Sequence, residues 1–176
     1  MSKMTLTEVV KRGLKMRKED RASMLGIGPM SKTLIKASII LAKEKDFPLM
    51  FIASRNQVDS QELGGGYVCN WDQKGFSDAI RSIAEEVGFE GLYYLCRDHG
   101  GPWQRDKERK DHLPEEKAME LGKKSYIADI ENGFDLLHID PTKDPYVVGK
   151  VIDVNVVLRR TVELIEYVEK ERIARG

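Results

Sequence analysis

The chain has 176 residues, a length that suits one domain with a substantial core. Its 29 basic and 29 acidic residues cancel, so no overall basic field favours nucleic acid or an anionic membrane as a partner. Apolar residues make up 41% of the sequence, which is ordinary for a soluble protein, and no window approaches the roughly 18 apolar residues of a membrane-spanning helix.

The opening residues, MSKMTLTEVVKRGLKMRKEDR, predict an amphipathic helix over 3–21. They lack the apolar core and the small-residue cleavage site of a secretion signal. Cys69 and Cys96 form no CxxC pair and indicate no disulfide framework. We therefore expect a cytoplasmic protein.

The remainder of a single α/β domain, taken as 1–176, alternates strand-like and helix-like segments. Four βα units are predicted at about 23–45, 47–88, 91–133 and 134–172.

Apolar residues that recur every 3.6 positions indicate the buried faces of the helices. The predicted stripe of the first unit consists of Leu34, Ile35, Ser38, Leu41 and Ala42. That of the second unit consists of Phe76, Ala79, Ile80, Ile83, Ala84 and Val87, with Gly88 as the C-terminal cap. The last helix, at about 146–172, carries Val154, Leu158, Val162, Ile165 and Val168.

Strands that are apolar throughout and alternate with helices predict a parallel sheet covered on both faces. Three of these strands end in polar clusters, which read ASRNQ, RDHGGP and HIDP. The carboxyl ends of parallel strands meet at one edge of the sheet, where ligands bind. We therefore expect the three clusters to share one site.

Asp98 and His99 are the principal candidates for chemistry. A carboxylate beside an imidazole provides an acid/base and a metal ligand, the pair needed to polarise a sugar carbonyl and move a proton. The alternative is that Asp98 caps the loop and His99 only packs. Asp140 and His138 project to the same side of the fourth strand. Asp140 is predicted to be functional, His138 to be a satisfied core histidine, and His112, in a run of charges, to face solvent.

After the second strand, Asn56 and Gln57 offer neutral hydrogen-bonding groups for sugar hydroxyls. Gly64, Gly65 and Gly66 predict a mobile loop, with an anion-binding turn as the alternative. The triple glycine lacks the Lys-Ser/Thr of a P-loop and the spacing of a dinucleotide fingerprint. No Gly-x-Ser-x-Gly motif and no Cys/His nucleophile arrangement supports a hydrolase.

The order of the motifs SRNQV, Gly-Gly-Tyr, IAEEVGF, DHGGP and LLHIDP resembles the non-catalytic (Z-type) subunit family of class II tagatose-bisphosphate aldolases. The wider group includes metal-dependent tagaturonate/fructuronate epimerases. The resemblance implies a TIM-type barrel and a divalent metal, zinc. It makes Asp98 the catalytic acid/base and His99 a metal ligand. It assigns substrate-binding positions to Asn56, Gln57 and Asp140.

Two features depart from the family pattern. Small residues commonly precede Asp-His in the family, whereas this chain has Cys96 and Arg97. The Arg97 charge would compete with a metal cation unless the side chain points away or pairs with a carboxylate. Four βα units are also only half of an eightfold barrel. The remaining metal ligands would then lie on further strands, and we expect a half-barrel here.

Three functional hypotheses follow. The chain is part of a metal-dependent enzyme acting on a sugar or sugar phosphate, by aldol cleavage of a ketose bisphosphate or by C4 epimerisation. Alternatively, it is a non-catalytic subunit that stabilises a partner chain. The third hypothesis is a plain ligand-binding α/β domain. Because a half-barrel leaves strand edges unpaired, we expect a homo-oligomer or a complementary aldolase polypeptide as the partner.

Overall fold

Four strands lie in one parallel sheet, and their order across the sheet is their order along the chain. The computed structural model describes residues 4–20 and 23–175. The strands are β1 (Leu25–Ile27), β2 (Leu49–Ser54), β3 (Tyr93–Gly100) and β4 (Leu136–Ile139). The helices are α1 (Leu6–Lys15), α2 (Lys32–Lys45), α3 (Gln73–Val87), α4 (Asp106–Lys110), α5 (Glu115–Glu131) and α6 (Val154–Arg175). This architecture is the predicted α/β half-barrel.

The strand β2, with the sequence LMFIAS, is apolar at almost every position. Leu49, Phe51 and Ala53 are fully buried on the outer face, in a core to which α2 and α3 contribute. Met50 and Ile52 face the inner side, where they pack in a second cluster with α1. Both faces of this strand are therefore covered, because successive side chains point to opposite sides.

The first helix covers the amino-terminal end of the inner face. Its Leu6 is buried against Tyr94 and Cys96 of β3. The helix ends at Lys15 and is followed by a short 3₁₀ turn at Lys18–Asp20, so it is shorter than the helix predicted over 3–21. Positions 3 and 21 of that prediction lie outside the described residues.

The helical periods were predicted correctly, but the buried face was partly wrong in α2 and mostly wrong in α6. In α2, Leu34 and Leu41 are 39% and 45% exposed, although Ile35, Ser38 and Ala42 are buried as expected. In α6, the predicted stripe is exposed at Val154 (74%), Leu158 (59%), Val162 (45%) and Ile165 (45%), and buried at Val168. The helix also begins at Val154, not near residue 146. No helix in the described part of the chain has the length and hydrophobicity needed to cross a membrane.

Glu115 joins the start of α5 to α6. Its carboxylate accepts hydrogen bonds from Arg160 and Arg159, each at 2.5 Å. Arg160 also donates to Asp144 at 2.7 Å and lies over the ring of Trp103. Burial raises the pKa of Glu115, but the hydrogen bonds from the two arginines outweigh it and hold the pKa below its ordinary value.

Gly122 brings α5 close to the loop that follows β3. A Cβ atom at this position would lie 2.8 Å from the carbonyl carbon of Gly101. The close approach of helix and loop therefore requires a residue without a side chain.

Gly122→Ala is expected to lower the free energy of unfolding by about 1–3 kcal/mol, because the added methyl group would push α5 away from the loop. Gly13→Ala in α1 is the matched control, since no atom lies within 4 Å of its added Cβ. The control is expected to gain about 0.5–1 kcal/mol from helix propensity. Urea unfolding measures both, and equal effects of the two substitutions would contradict the close approach.

Glu115→Gln is expected to lower the free energy of unfolding at pH 7 by about 1 kcal/mol. The folded-state pKa of Glu115 is lowered, so the ionised carboxylate stabilises the fold above its unfolded-state pKa. This contribution is lost as the pH falls through the folded-state pKa, where variant and wild type should converge. Glu116→Gln, in the same exposed first turn, controls for the helix dipole in the same pH series.

Candidate functional site

The pleat of β3 determines which charged side chains reach the inner face. Asp98 is the register partner of Ser54, at the carboxyl ends of β3 and β2. Because neighbouring residues of a strand point to opposite faces, Asp98 faces inward and Arg97 faces the helices. The Arg97 side chain is completely buried, whereas 40% of the Asp98 side chain is exposed.

Two imidazoles approach the Asp98 carboxylate from the ends of β3 and β4. His99 Nε2 lies 3.5 Å from Asp98 Oδ1, and His138 Nδ1 lies 4.0 Å from the same oxygen. The centroids of the two imidazole rings are 5.0 Å apart. About half of each histidine side chain is exposed. His138 was predicted to be a core histidine, and that prediction was wrong.

Asp140 holds the His99 ring from the other side. Its Oδ2 lies 2.5 Å from His99 Nδ1, while its Oδ1 accepts hydrogen bonds from the backbone and hydroxyl of Thr142. Burial raises the pKa of Asp140, but the bonds from Thr142 and His99 outweigh it, and the pKa lies below its ordinary value. Asp140 Oδ2 accepts this bond when Nδ1 carries the ring proton, and the other ring nitrogen, Nε2, faces Asp98.

His99 adopts a left-handed backbone conformation, with φ at +48°. The pairing of β3 with β4 is irregular between Arg97 and Gly100, which includes this residue. Residues other than glycine seldom occupy this region, and such strain concentrates at functional positions. The strained turn allows consecutive residues Asp98 and His99 to direct their side chains into one cluster.

The donor atoms of the cluster fit a divalent transition metal. Asp98, His99 and His138 each offer one ligand atom, and these atoms lie within 4.8 Å of one another. Imidazole nitrogen and carboxylate oxygen are the ligands found at catalytic zinc sites with an open position. The residues present therefore suit the class of metal that the resemblance implies.

The amide side chains of Asn56 and Gln57 bond within their own surroundings. Gln57 accepts a hydrogen bond from the backbone of Ser54 at 2.8 Å, and its Nε2 lies 3.0 Å from the sulfur of Met30. Asn56 forms reciprocal bonds of 3.1 Å with Asp106 at the start of α4. The structure therefore places both residues after β2 as predicted, but these hydrogen bonds do not join the Asp98 cluster.

The triple glycine is a packed turn. The N–H groups of Gly64, Gly65 and Gly66 donate to the backbone oxygens of Gln61, Ser60 and Trp71. A Cβ at Gly66 would lie 2.0 Å from the carbonyl oxygen of Gln57. Because all three N–H groups are used inside the loop, the turn offers none of them to a phosphate. This packing does not match the anion-binding turn, while the mobile loop stays a prediction.

Arg97 pairs with a carboxylate on the outer side of the sheet. Its guanidinium donates to Asp129 of α5 at 2.8 and 2.5 Å and to the carbonyl oxygens of Ala53 and Val58. Both charged side chains are fully buried. Arg97 therefore lies away from the metal-type cluster, and its charge is compensated by Asp129.

A second buried arginine fixes the loops around the site. Arg55, directly after β2, donates to Gly101 O at 2.8 Å and pairs with Glu108 at 2.8 Å and with Asp59 at 3.1 Å. Burial raises the pKa of Asp59, but Arg55, Arg97 and further donors outweigh it, so the pKa is lowered. Arg55 thereby connects the loop after β2 to the loop that follows His99 and β3.

Sequence reasoning missed Arg55, Glu108, Asp129 and the position of His138 in the Asp98 cluster. Alternation along β3 could have placed Arg97 on the helix-facing side with Leu95, and hence called for a buried counter-charge. Nothing local identifies which acidic residue supplies it, since Asp129 is 32 positions away. The exposure of His138 follows from its inner-face position on β4, which is the last strand of the sheet formed by residues 4–20 and 23–175.

Comparison with known proteins decides the family. A sequence profile described as D-tagatose-1,6-bisphosphate aldolase subunit GatZ/KbaZ-like matches residues 7–175. The chain belongs to the GatZ/KbaZ-like family. This confirms the resemblance to the Z-type aldolase subunits and links the chain to carbohydrate metabolism. Comparison with curated protein sequences gives no match.

A solved structure has a fold similar to that of this GatZ/KbaZ-like chain. The crystal structure of a probable tagatose 6 phosphate kinase from Sinorhizobium meliloti 1021 aligns with a TM-score of 0.73 and 23% sequence identity. The alignment covers 85% of this chain and 37% of that one. At this identity the likeness establishes the fold alone. The chain thus corresponds to a little over a third of the length of that relative.

Asp129→Asn is expected to lower the free energy of unfolding by about 3–5 kcal/mol, because Arg97 would remain buried without a negative partner. Asp111→Asn is the control, since Asp111 pairs with Lys107 at the surface. The control should change the free energy by no more than about 0.5 kcal/mol. Denaturant unfolding at pH 7 compares the two, and a similarly small loss for both would show that the buried pair does not hold the fold.

Proposed function

We propose that the chain is a half-barrel subunit of a tagatose-bisphosphate-aldolase type of assembly, located in the cytoplasm, and that its site takes part in aldol cleavage of a ketose bisphosphate. The observation that carries this proposal is the Asp98–His99–His138 cluster at the carboxyl ends of β3 and β4, with Asp140 beside it. Family membership supports the substrate class.

Aldol cleavage breaks the bond between the α and β carbons of a ketose. The β hydroxyl must lose its proton, and the electron pair of the broken bond must be accepted by the ketone. A bound divalent cation, zinc by resemblance, would supply the Lewis acid that polarises the ketone oxygen. His99 would hold that cation through Nε2. Asp98, half exposed on the inner face, is the proposed acceptor of the hydroxyl proton.

Asp140 is proposed to orient His99, because its ionised carboxylate receives the hydrogen bond from Nδ1. Asn56 and Gln57 remain proposed binding groups for sugar hydroxyls on the strength of their position after β2. A sugar would have to replace the bonds that Asn56 makes to Asp106 and that Gln57 makes to Met30. The loop after β2, which carries both residues, would have to change its conformation for such binding.

The exposed apolar surface favours a partner that completes the barrel. Within residues 4–20 and 23–175, β1 and β4 each pair with only one neighbouring strand. Val154 and Leu158 of α6 are 74% and 59% exposed, and Leu25 on β1 is 44% exposed. An open sheet edge next to an apolar helix face is a surface that proteins normally cover. A complementary aldolase polypeptide is the proposed occupant, with self-association as the competing arrangement.

The proposed function is tested by cleavage of D-tagatose 1,6-bisphosphate. The protein is assayed alone and mixed with the catalytic subunit of a class II tagatose-bisphosphate aldolase, and light scattering after gel filtration records the assembly. We expect a mixed complex with higher activity than the catalytic subunit alone. Asp98→Asn and His99→Asn should reduce that gain by about 100-fold, the usual size of an acid/base contribution.

Asp111→Asn, on the surface of the same chain, is the control and should leave the gain unchanged. Equal gains for wild type, Asp98→Asn and His99→Asn would mean that the chain only stabilises its partner. A self-associated chain without any effect on the catalytic subunit would contradict the proposed assembly.

A further inference from the structure

We infer that this chain binds one transition-metal dication by itself, through Asp98, His99 and His138, and that His138 is a direct ligand. The inference rests on the proposed function for His99 and extends it to Asp98, which would bind the metal through Oδ1 and keep Oδ2 as the acceptor of the hydroxyl proton. It assigns a second imidazole ligand from β4, and it makes the site independent of a second half of the barrel.

The three donor atoms already converge. His99 Nε2 and His138 Nδ1 lie 3.5 and 4.0 Å from one carboxylate oxygen, Oδ1 of Asp98. Two ligands that each lie about 2.0–2.2 Å from a zinc ion are at most about 4.4 Å apart. Both contacts to Asp98 Oδ1 are within this range. The three atoms together span no more than 4.8 Å, so small side-chain rotations suffice to close the set.

The position of His138 is explained by metal binding better than by packing. Its neighbours Leu137 and Ile139 point to the outer face and pack on the core shared by α5 and α6. The His138 backbone oxygen accepts a hydrogen bond from Tyr126 at 3.0 Å, which fixes the strand at this point. The His138 side chain points the other way and is 48% exposed. Its Nδ1 accepts only a long hydrogen bond, 3.4 Å, from the His99 backbone N–H, and a metal ion would replace this bond at a solvent-exposed imidazole.

Electrostatics favour a dication at this place. Asp98 and Asp140 contribute two negative charges around the two imidazoles, and a divalent ion would balance them. Arg97, the nearest arginine in sequence, faces the opposite side of the sheet and is neutralised by Asp129. The metal charge is therefore not opposed by Arg97.

The second ring nitrogen of His99 is already used as metal-binding histidines use it. Metal ligands of this type generally donate their other N–H to a carboxylate, which fixes the ring and raises its basicity. Asp140 occupies that position, 2.5 Å from His99 Nδ1. Three protein ligands with exposed side chains leave coordination positions for water or for a substrate oxygen.

The test titrates the untagged, full chain with Co²⁺ and with Zn²⁺, followed by calorimetry and by the visible absorption of Co²⁺. The chain has three histidines, and His112 serves as the matched control because it lies away from the cluster. His99 and His112 both have positive φ, which asparagine tolerates, so the variants are His99→Asn, His138→Asn and His112→Asn. Cys69→Ser is included in all of them, because the exposed thiol can itself bind metal.

Wild type and His112→Asn are expected to bind one equivalent of metal with the same affinity. His99→Asn and His138→Asn should each weaken binding at least tenfold and abolish the Co²⁺ spectrum of the site. Zinc should raise the thermal unfolding midpoint of the wild type and of His112→Asn. It should not raise that of His99→Asn or His138→Asn. Circular dichroism checks that all variants are folded, and His138→Gln repeats the test with a longer amide. Wild-type affinity in His138→Asn, or no binding to the wild type, would overturn the inference.

Failure of this inference is distinguishable from failure of the proposed function. Metal titration needs neither sugar nor partner. Stoichiometric metal binding that depends on His138, in a protein that never supports cleavage, would leave the inference standing and remove the aldolase proposal. Cleavage that depends on Asp98 and His99, with normal metal binding in His138→Asn, would do the reverse.

Discussion

The fold and the site depend on one constraint, the compensation of Arg97 on the outer side of β3. A fully buried guanidinium is tolerated only because Asp129 and two backbone carbonyls satisfy its donors. Those partners come from α5, from β2 and from the loop after β2, so one side chain joins three segments. Since the strand alternates, fixing Arg97 outward also fixes Asp98 inward. The ion pair between Arg97 and Asp129 on the outer side of the sheet thereby places Asp98 on the inner face.

Hydrogen bonds from outside the Asp98 cluster hold several of the loops around it. Arg55 bonds to Gly101 O, and Gln104 donates to the backbone oxygen of Asp140. His99 near the end of β3, and Gly101 and Trp103 in the loop that follows, all have positive φ, which gives this segment a shape that few other sequences adopt. Side chains supported in this way would lose little conformational entropy on binding a metal ion, which is the general advantage of preorganisation.

Much of the fold was predictable because periodicity and capping are local properties. The apolar face of α3 and its Gly88 cap were read directly from the sequence. The faces of α2 and α6 were not, since a 3.6-residue period reveals an apolar stripe without revealing whether anything covers it. Asp98, His99 and Asp140 could be grouped because they end neighbouring parallel strands. The Arg55–Glu108 and Arg97–Asp129 pairs could not be predicted, because ion pairs over 53 and 32 positions leave no local pattern.

The position of α1 limits how a ligand could enter and leave a completed barrel. Leu6 packs with Tyr94 and Cys96 at the amino-terminal end of the inner face, so apolar side chains close this end. A sugar would then arrive and depart by the same rim that carries the two imidazoles. In a chamber that is closed at one end, two molecules bound together would have to leave in order, the outer one first.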